Sequence, residues 1–134
     1  MMYLLDTNIF LEILLDQKKS DECEILLRSV PVNKEKFYVS SFTLHTIEVK
    51  MTRESKEDYL KNFLRSVDDL GIKRLDTPIS EEIKILDCMD EQGLSFDDAV
   101  QYHICKKNDF EIISYDEHFD GTDITRKEPS DIIF

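Results

Sequence analysis

The chain has 134 residues, 41% of them hydrophobic, which suits one compact domain with a substantial core (residues 1–134), and only three Gly and three Pro leave little room for flexible linkers. Its formal net charge of −12 disfavours broad, unaided binding to nucleic acid, whose phosphates it would repel. No apolar run nears the roughly 18 residues of a membrane span, the first residues lack a basic signal-peptide segment, and Cys23, Cys88 and Cys105 form neither a CxxC pair nor an even disulfide set, so a soluble cytoplasmic protein is expected.

In chain order, residues 2–5 read as a buried strand, followed by a helix over about 8–16. Ser20, Asp21 and Glu22 open a second helix to about 29, with acids in its first turn, and Pro31 ends that region. Residues 37–40 form the next strand, and Ser41 or Thr43 opens a helix to about 53. Ser55 with Asp58 has capping-box spacing and predicts a helix from there to about 69, closed by Gly71. Residues 72–75 are a third strand. Ser80, Glu81 and Glu82 start a helix that ends at Gly93, and Ser95 opens another whose Phe96, Ala99, Val100, His103 and Ile104 share one face. Residues 110–113 are the fourth strand, followed by SYDEHFDGTD and a short C-terminal segment. Strands separated by one or two helices predict a three-layer α/β/α sandwich around a parallel sheet of about four to five strands.

Three acids then stand out. Asp6 follows the first strand, Asp98 lies in the first turn of the helix opened by Ser95, and Asp116 follows the fourth strand. In an open parallel sheet, strand C-termini and helix N-termini lie on one edge, where ligands bind. Two unit charges about 4 Å apart repel by roughly 4 kcal/mol at an effective dielectric near 20, so such a cluster calls for a shared proton or a cation. Oxygen-only ligands favour Mg2+ or Mn2+. Such an ion lowers the pKa of water, stabilises phosphoryl charge, and reverses the local sign for a polyanionic substrate. Each acid also has a plainer reading: Asp6 as a helix cap, Asp98 as a capping-box acid, Asp116 as a loop acid. Asp97 is a near rival to Asp98, whereas Asp120 and Asp123 read as solvated. His45, His103 and His118 share no metal-ligand spacing, and His103 reads as a core histidine. The basic pairs Lys18/Lys19, Lys50/Arg53, Lys106/Lys107 and Arg126/Lys127 either form local anion-binding patches or are ordinary solvated charge.

Taken together, these motifs resemble the PIN-domain family of metal-dependent ribonucleases, which includes toxins of toxin–antitoxin pairs. Leu5-Asp6-Thr7-Asn8-Ile9-Phe10 is similar to the family's opening motif, Asp98-Ala99 to its third acidic position, and Ser114-Tyr115-Asp116 with Phe119 to its closing motif. The resemblance implies a Mg2+- or Mn2+-dependent endoribonuclease that uses metal-activated water, with Asp6, Asp98 and Asp116 as metal-binding and catalytic residues. Asn8, Thr46 and Ser114 would support them. RNA, an antitoxin protein and a second copy of the chain are the implied partners. One position departs from the pattern: Val39-Ser40-Ser41-Phe42-Thr43-Leu44-His45 places Thr46 where the family usually has Glu. Glu48, two residues on, lies about 200° around the helix and is expected to point away. A weak or inactive PIN-like module acting through protein partners is therefore the alternative. A two-component receiver would want an adjacent acidic pair after the first strand and a late Lys, and a haloacid-dehalogenase-type phosphatase would want Asp-x-Asp where Asp6-Thr7-Asn8 stands; the chain has neither pattern.

Overall fold

The computed structural model describes residues 1–133. Its strands are β1 (Met2–Leu5), β2 (Lys36–Ser40), β3 (Lys73–Leu75), β4 (Glu111–Ile113) and β5 (Arg126–Lys127). Its α-helices are α1 (Thr7–Leu14), α2 (Ser20–Ser29), α3 (Ser41–Arg53), α4 (Glu57–Leu70), α5 (Ile79–Gln92), α6 (Phe96–Asn108) and α7 (Pro129–Ile133). The sheet has the order β3-β2-β1-β4-β5, and every pairing is parallel. Tyr3 of the central strand lies opposite Phe37 on one side and Glu111 on the other.

Strand periodicity divides the core. Tyr3, Leu5, Phe37, Val39 and Ile113 face one way and pack with Ile9 and Phe10 of α1, Leu26 of α2, Ile47 of α3 and Phe63 of α4. Leu4 and Ile112 face the other way, against Ile85 of α5 and Ala99, Val100 and Ile104 of α6. Leu4, Leu5, Ile112 and Ile113 are all fully buried, because the sheet is covered on both faces. The expected three-layer sandwich is what the chain forms.

The predicted helix stops hold and some starts move. Gly71 and Gly93 close α4 and α5 in the left-handed conformation, at φ +80° and +66°. Ser55 does not open a capping box. It sits at φ +56°, and its N–H bonds to the Thr52 carbonyl at 3.1 Å. It thus finishes α3, while α4 begins at Glu57 behind Lys56 with no side-chain cap. A residue that closes one helix in the left-handed region cannot also take the extended backbone of an N-cap.

The strand order fixes the site. The chain runs from β1 outward to β3, then returns to pair β4 with the opposite edge of β1. The order reverses between β1 and β4, so a crevice opens beyond their C-terminal ends.

Candidate metal centre at the sheet edge

Side-chain caps aim the acidic residues at this crevice. Asp6 leaves β1 in extended backbone and caps α1, its Oδ1 accepting from Thr7 N at 2.9 Å. Ser95 caps α6 by accepting from Asp98 N at 3.3 Å. The Asp98 carboxylate, freed from that task, turns to His118, with Oδ2 3.3 Å from Nδ1. Asp116 caps the 3-10 turn Glu117–Gly121 by accepting from His118 N at 2.9 Å. The capping reading of Asp6 is therefore correct and compatible with a place in the site, and Asp116, read as a loop acid, turns out to cap as well.

A cavity of about 210 Å3 is lined by Asp6, Asp98 and Asp116 together with Asn8, Thr46 and Gln101. The three acids come from three separate segments, as the topology predicted. Asp97 also lines this cavity but is exposed. Asp120 and Asp123 are engaged elsewhere, with Arg126 at 2.9 Å and Lys106 at 2.8 Å.

The acids differ in depth. Asp6 is 6% exposed, whereas the Asp98 and Asp116 side chains are 14% and 27% exposed. Asp6 Oδ1 accepts from Thr7 N and from Gln101 Nε2, both at 2.9 Å. Its Oδ2 accepts from Ser114 Oγ at 2.6 Å and Asn8 Nδ2 at 3.3 Å. These four donors match the lone-pair capacity of a carboxylate. Burial nevertheless pushes the Asp6 carboxyl above its ordinary value; the bonds from Gln101, Ser114 and Thr7 pull it down, and the charge of Asp116 raises it. Asp98 is raised as well, first by burial and then by Asp116, with His118 opposing. Carboxyls raised partly by one another form a cluster lacking positive charge.

Asn8 and Ser114 bond directly to Asp6, whereas Thr46 only lines the cavity. Ser114 donates to Asp6 and accepts from Asn8 Nδ2 at 3.0 Å and Asp116 N at 2.9 Å. Asn8 Oδ1 accepts from Tyr115 N at 3.2 Å, which ties α1 to the end of β4. Thr46 faces the cavity, yet its hydroxyl donates to Phe42 O at 2.9 Å within α3. Glu48 turns toward His45 instead, 3.9 Å away.

Sequence reasoning missed Gln101 and His118. Gln101 is 2% exposed and also donates to Thr43 Oγ1 at 3.0 Å while accepting from Ser40 Oγ at 2.8 Å. Its signal is a polar residue one helical turn after Asp98, set among Ala99, Val100, Tyr102 and Ile104. His118 gives no metal-ligand signal in the sequence, since the three histidines share no spacing. Its partners are instead acids: Nδ1 lies 3.1 Å from Asp116 Oδ1 as well as 3.3 Å from Asp98. The His103 side chain is 14% exposed and meets Glu81 at 3.4 Å between α5 and α6. Most basic pairs are surface ion pairs: Lys19 with Glu22, Lys106 with Asp123, Lys107 with Glu81, and Arg126 with Asp120 and Glu128. Lys50 and Arg53 line a neighbouring cavity that shares Phe42 and Thr46 with the acidic one.

The cavity fits a divalent cation by the chemistry of its donors, since Asp98 and Asp116 offer hard oxygens that are neither fully buried nor saturated. No described helix is long and apolar enough to cross a membrane.

Residues 3–124 match the family described as PIN domain. Among solved structures, the fold is similar to VapBC2 from Rickettsia felis bound to a DNA fragment from their promoter, at 13% identity and a TM-score of 0.71, covering 96% of this chain and 98% of that one. It is likewise similar to FitAcB from Neisseria gonorrhoeae, at 20% identity, a TM-score of 0.71 and coverage of 96% and 99%. A third is VapC20 of Mycobacterium tuberculosis, a sarcin–ricin-loop-cleaving toxin, at 13% identity, a TM-score of 0.72 and coverage of 92% and 96%. At these identities the likeness is one of fold. No curated protein sequence matches significantly.

Proposed function

The chain belongs to the PIN-domain family, and from that premise we propose that it is a single-domain Mg2+- or Mn2+-dependent endoribonuclease, the toxin of a toxin–antitoxin pair acting in the cytoplasm. One observation carries this reading: Asp6, Asp98 and Asp116, from three distant segments, line one cavity at the reversal point of the sheet. When bound, the divalent ion supplies Lewis acidity toward water and the phosphoryl group. Asp98 and Asp116 would hold it from the open side and Asp6 from below. Asn8 and Ser114 fix the Asp6 carboxylate, and Arg53 offers positive charge near the cavity for the RNA backbone, Lys50 being paired with Glu54 at 3.7 Å.

An antitoxin partner and a homodimer belong to the same proposal. The solved neighbours named as VapBC2 and FitAcB support the former. Exposed Ile79, Ile83 and Leu86, spaced along one face of α5, support the latter. The three free cysteines suit a reducing compartment.

The test is cleavage of a mixed-sequence single-stranded RNA with Mg2+, with Mn2+ and with chelator. Cleavage should require the cation and vanish in Asp98→Asn and Asp116→Asn. Thr46, at the position of the usual Glu, favours the second reading, a catalytically weak module that works through protein partners. An intact RNA in the presence of either cation decides for that module.

A further inference from the structure

We propose that His118 is a nitrogen ligand of the cation and that it biases the site toward first-row transition ions of the Mn2+ class over Mg2+. This rests on the metal-binding half of the reading above and not on cleavage. One ligand atom each from Asp98, Asp116 and His118 lies within 4.8 Å of the others. The His118 Nδ1 separations, 3.1 Å to Asp116 Oδ1 and 3.3 Å to Asp98 Oδ2, are close to the ~3 Å expected between adjacent ligands of an octahedral ion with bonds near 2.1 Å.

The local fold holds the imidazole there. The Asp116 carboxylate accepts from the His118 N–H, and fully buried Phe119 anchors the next residue in the core. The backbone between these two constraints has little freedom. The side chain itself is 76% exposed, so it is held against the two acids by its Nδ1 contacts alone, which a bound ion would replace. Ligation uses neutral imidazole, with its proton on Nε2 and the Nδ1 lone pair on the ion.

The donor types then set the preference. Mg2+ binds oxygen and gives up water reluctantly, whereas Mn2+, though it shares the taste for oxygen, stands at the start of a first-row series whose affinity for nitrogen donors exceeds that of Mg2+. With Thr46 in place of an acid, His118 supplies a further donor without adding negative charge.

The experiment is electron spin-echo envelope modulation of the Mn2+-loaded full chain, with calorimetric titrations of Mn2+ and Mg2+. Nitrogen-14 modulation is expected in the unaltered chain and its loss in His118→Ala. That variant should bind Mn2+ about tenfold more weakly while Mg2+ affinity changes less than about twofold. His118→Asp, which restores an all-oxygen set, should narrow the preference for Mn2+. Absence of nitrogen modulation, failure to bind Mn2+, or an equal loss for both ions in His118→Ala overturns the inference. Nitrogen modulation in a chain that leaves RNA intact supports it and overturns only the ribonuclease reading. Cleavage without nitrogen modulation does the reverse.

Discussion

Gln101→Leu tests whether the floor of the cavity is built around an ionised Asp6. Gln101 makes three hydrogen bonds in a site that is 2% exposed: Nε2 to Asp6 at 2.9 Å and to Thr43 at 3.0 Å, and Oε1 from Ser40 at 2.8 Å. The bond to the carboxylate contributes about 2 kcal/mol and the two hydroxyl bonds about 1 kcal/mol each. Burying Leu instead of Gln returns about 1 kcal/mol, so the net loss at neutral pH should be about 3 kcal/mol. The loss should depend on pH. Gln101 is the strongest of the bonds that pull the raised Asp6 carboxyl down, so removing it raises that carboxyl further. A group raised in the folded state contributes its stability below the unfolded value, near 3.8, and loses it as pH rises through the folded value. The gap between Gln101→Leu and the unaltered chain should therefore be smaller at about pH 4.5 than at about pH 7.5. Urea unfolding of metal-free protein measures both. A loss under about 1 kcal/mol, or the same gap at both pH values, would refute the idea that Gln101 serves the charged carboxylate.

Asp6→Asn removes the buried charge, so its stability relative to the unaltered chain should rise with pH above about 4, and Mn2+ should reverse that trend by stabilising only the chain with the full set of acids; thermal melting across pH, with and without Mn2+, checks both halves. Thr46→Glu returns a carboxylate to the cavity wall and should tighten Mn2+ binding about tenfold in calorimetry, whereas Glu48→Gln should change it less than about twofold. A larger loss for Glu48→Gln would show that α3 can rotate this residue inward.

What was legible in the sequence follows from short-range physics. Runs such as residues 2–5 alternate between two covered faces, and the Gly residues that end α4 and α5 take the left-handed backbone that other residues resist. The acids at strand ends and helix starts were legible for the same reason, because parallel topology sends those ends to one edge. What stayed hidden depends on context. The Ser55 to Asp58 spacing is a real helix-start signal, but the end of α3 had already claimed Ser55. Strand β5 has only two residues, too few for a pattern. His118 and Gln101 became meaningful only when folding set one beside Asp98 and Asp116 and the other beneath Asp6, with β2 and α3 residues as further partners.

The depth of Asp6 gives the three acids different work. Its four donors leave no free lone pair, so direct contact with an ion requires release of one bond, and the longest is that from Asn8 at 3.3 Å. Asn8 would not be left stranded, because its Nδ2 also donates to Ser114 at 3.0 Å and its Oδ1 accepts from Tyr115 N. Freeing Asp6 through Asn8 therefore disturbs neither the α1 cap nor the Gln101 network, which hold the other oxygen. Asp98 and Asp116 need no such exchange on the cavity side. Asp98 and Asp116 would thus hold an ion without rearrangement, and Asp6 would join them only if the Asn8 bond yields. The rigid part of the site lies below, in hydrogen bonds among Asp6, Ser40, Thr43, Gln101 and Ser114, and the adjustable part is a single amide at its rim.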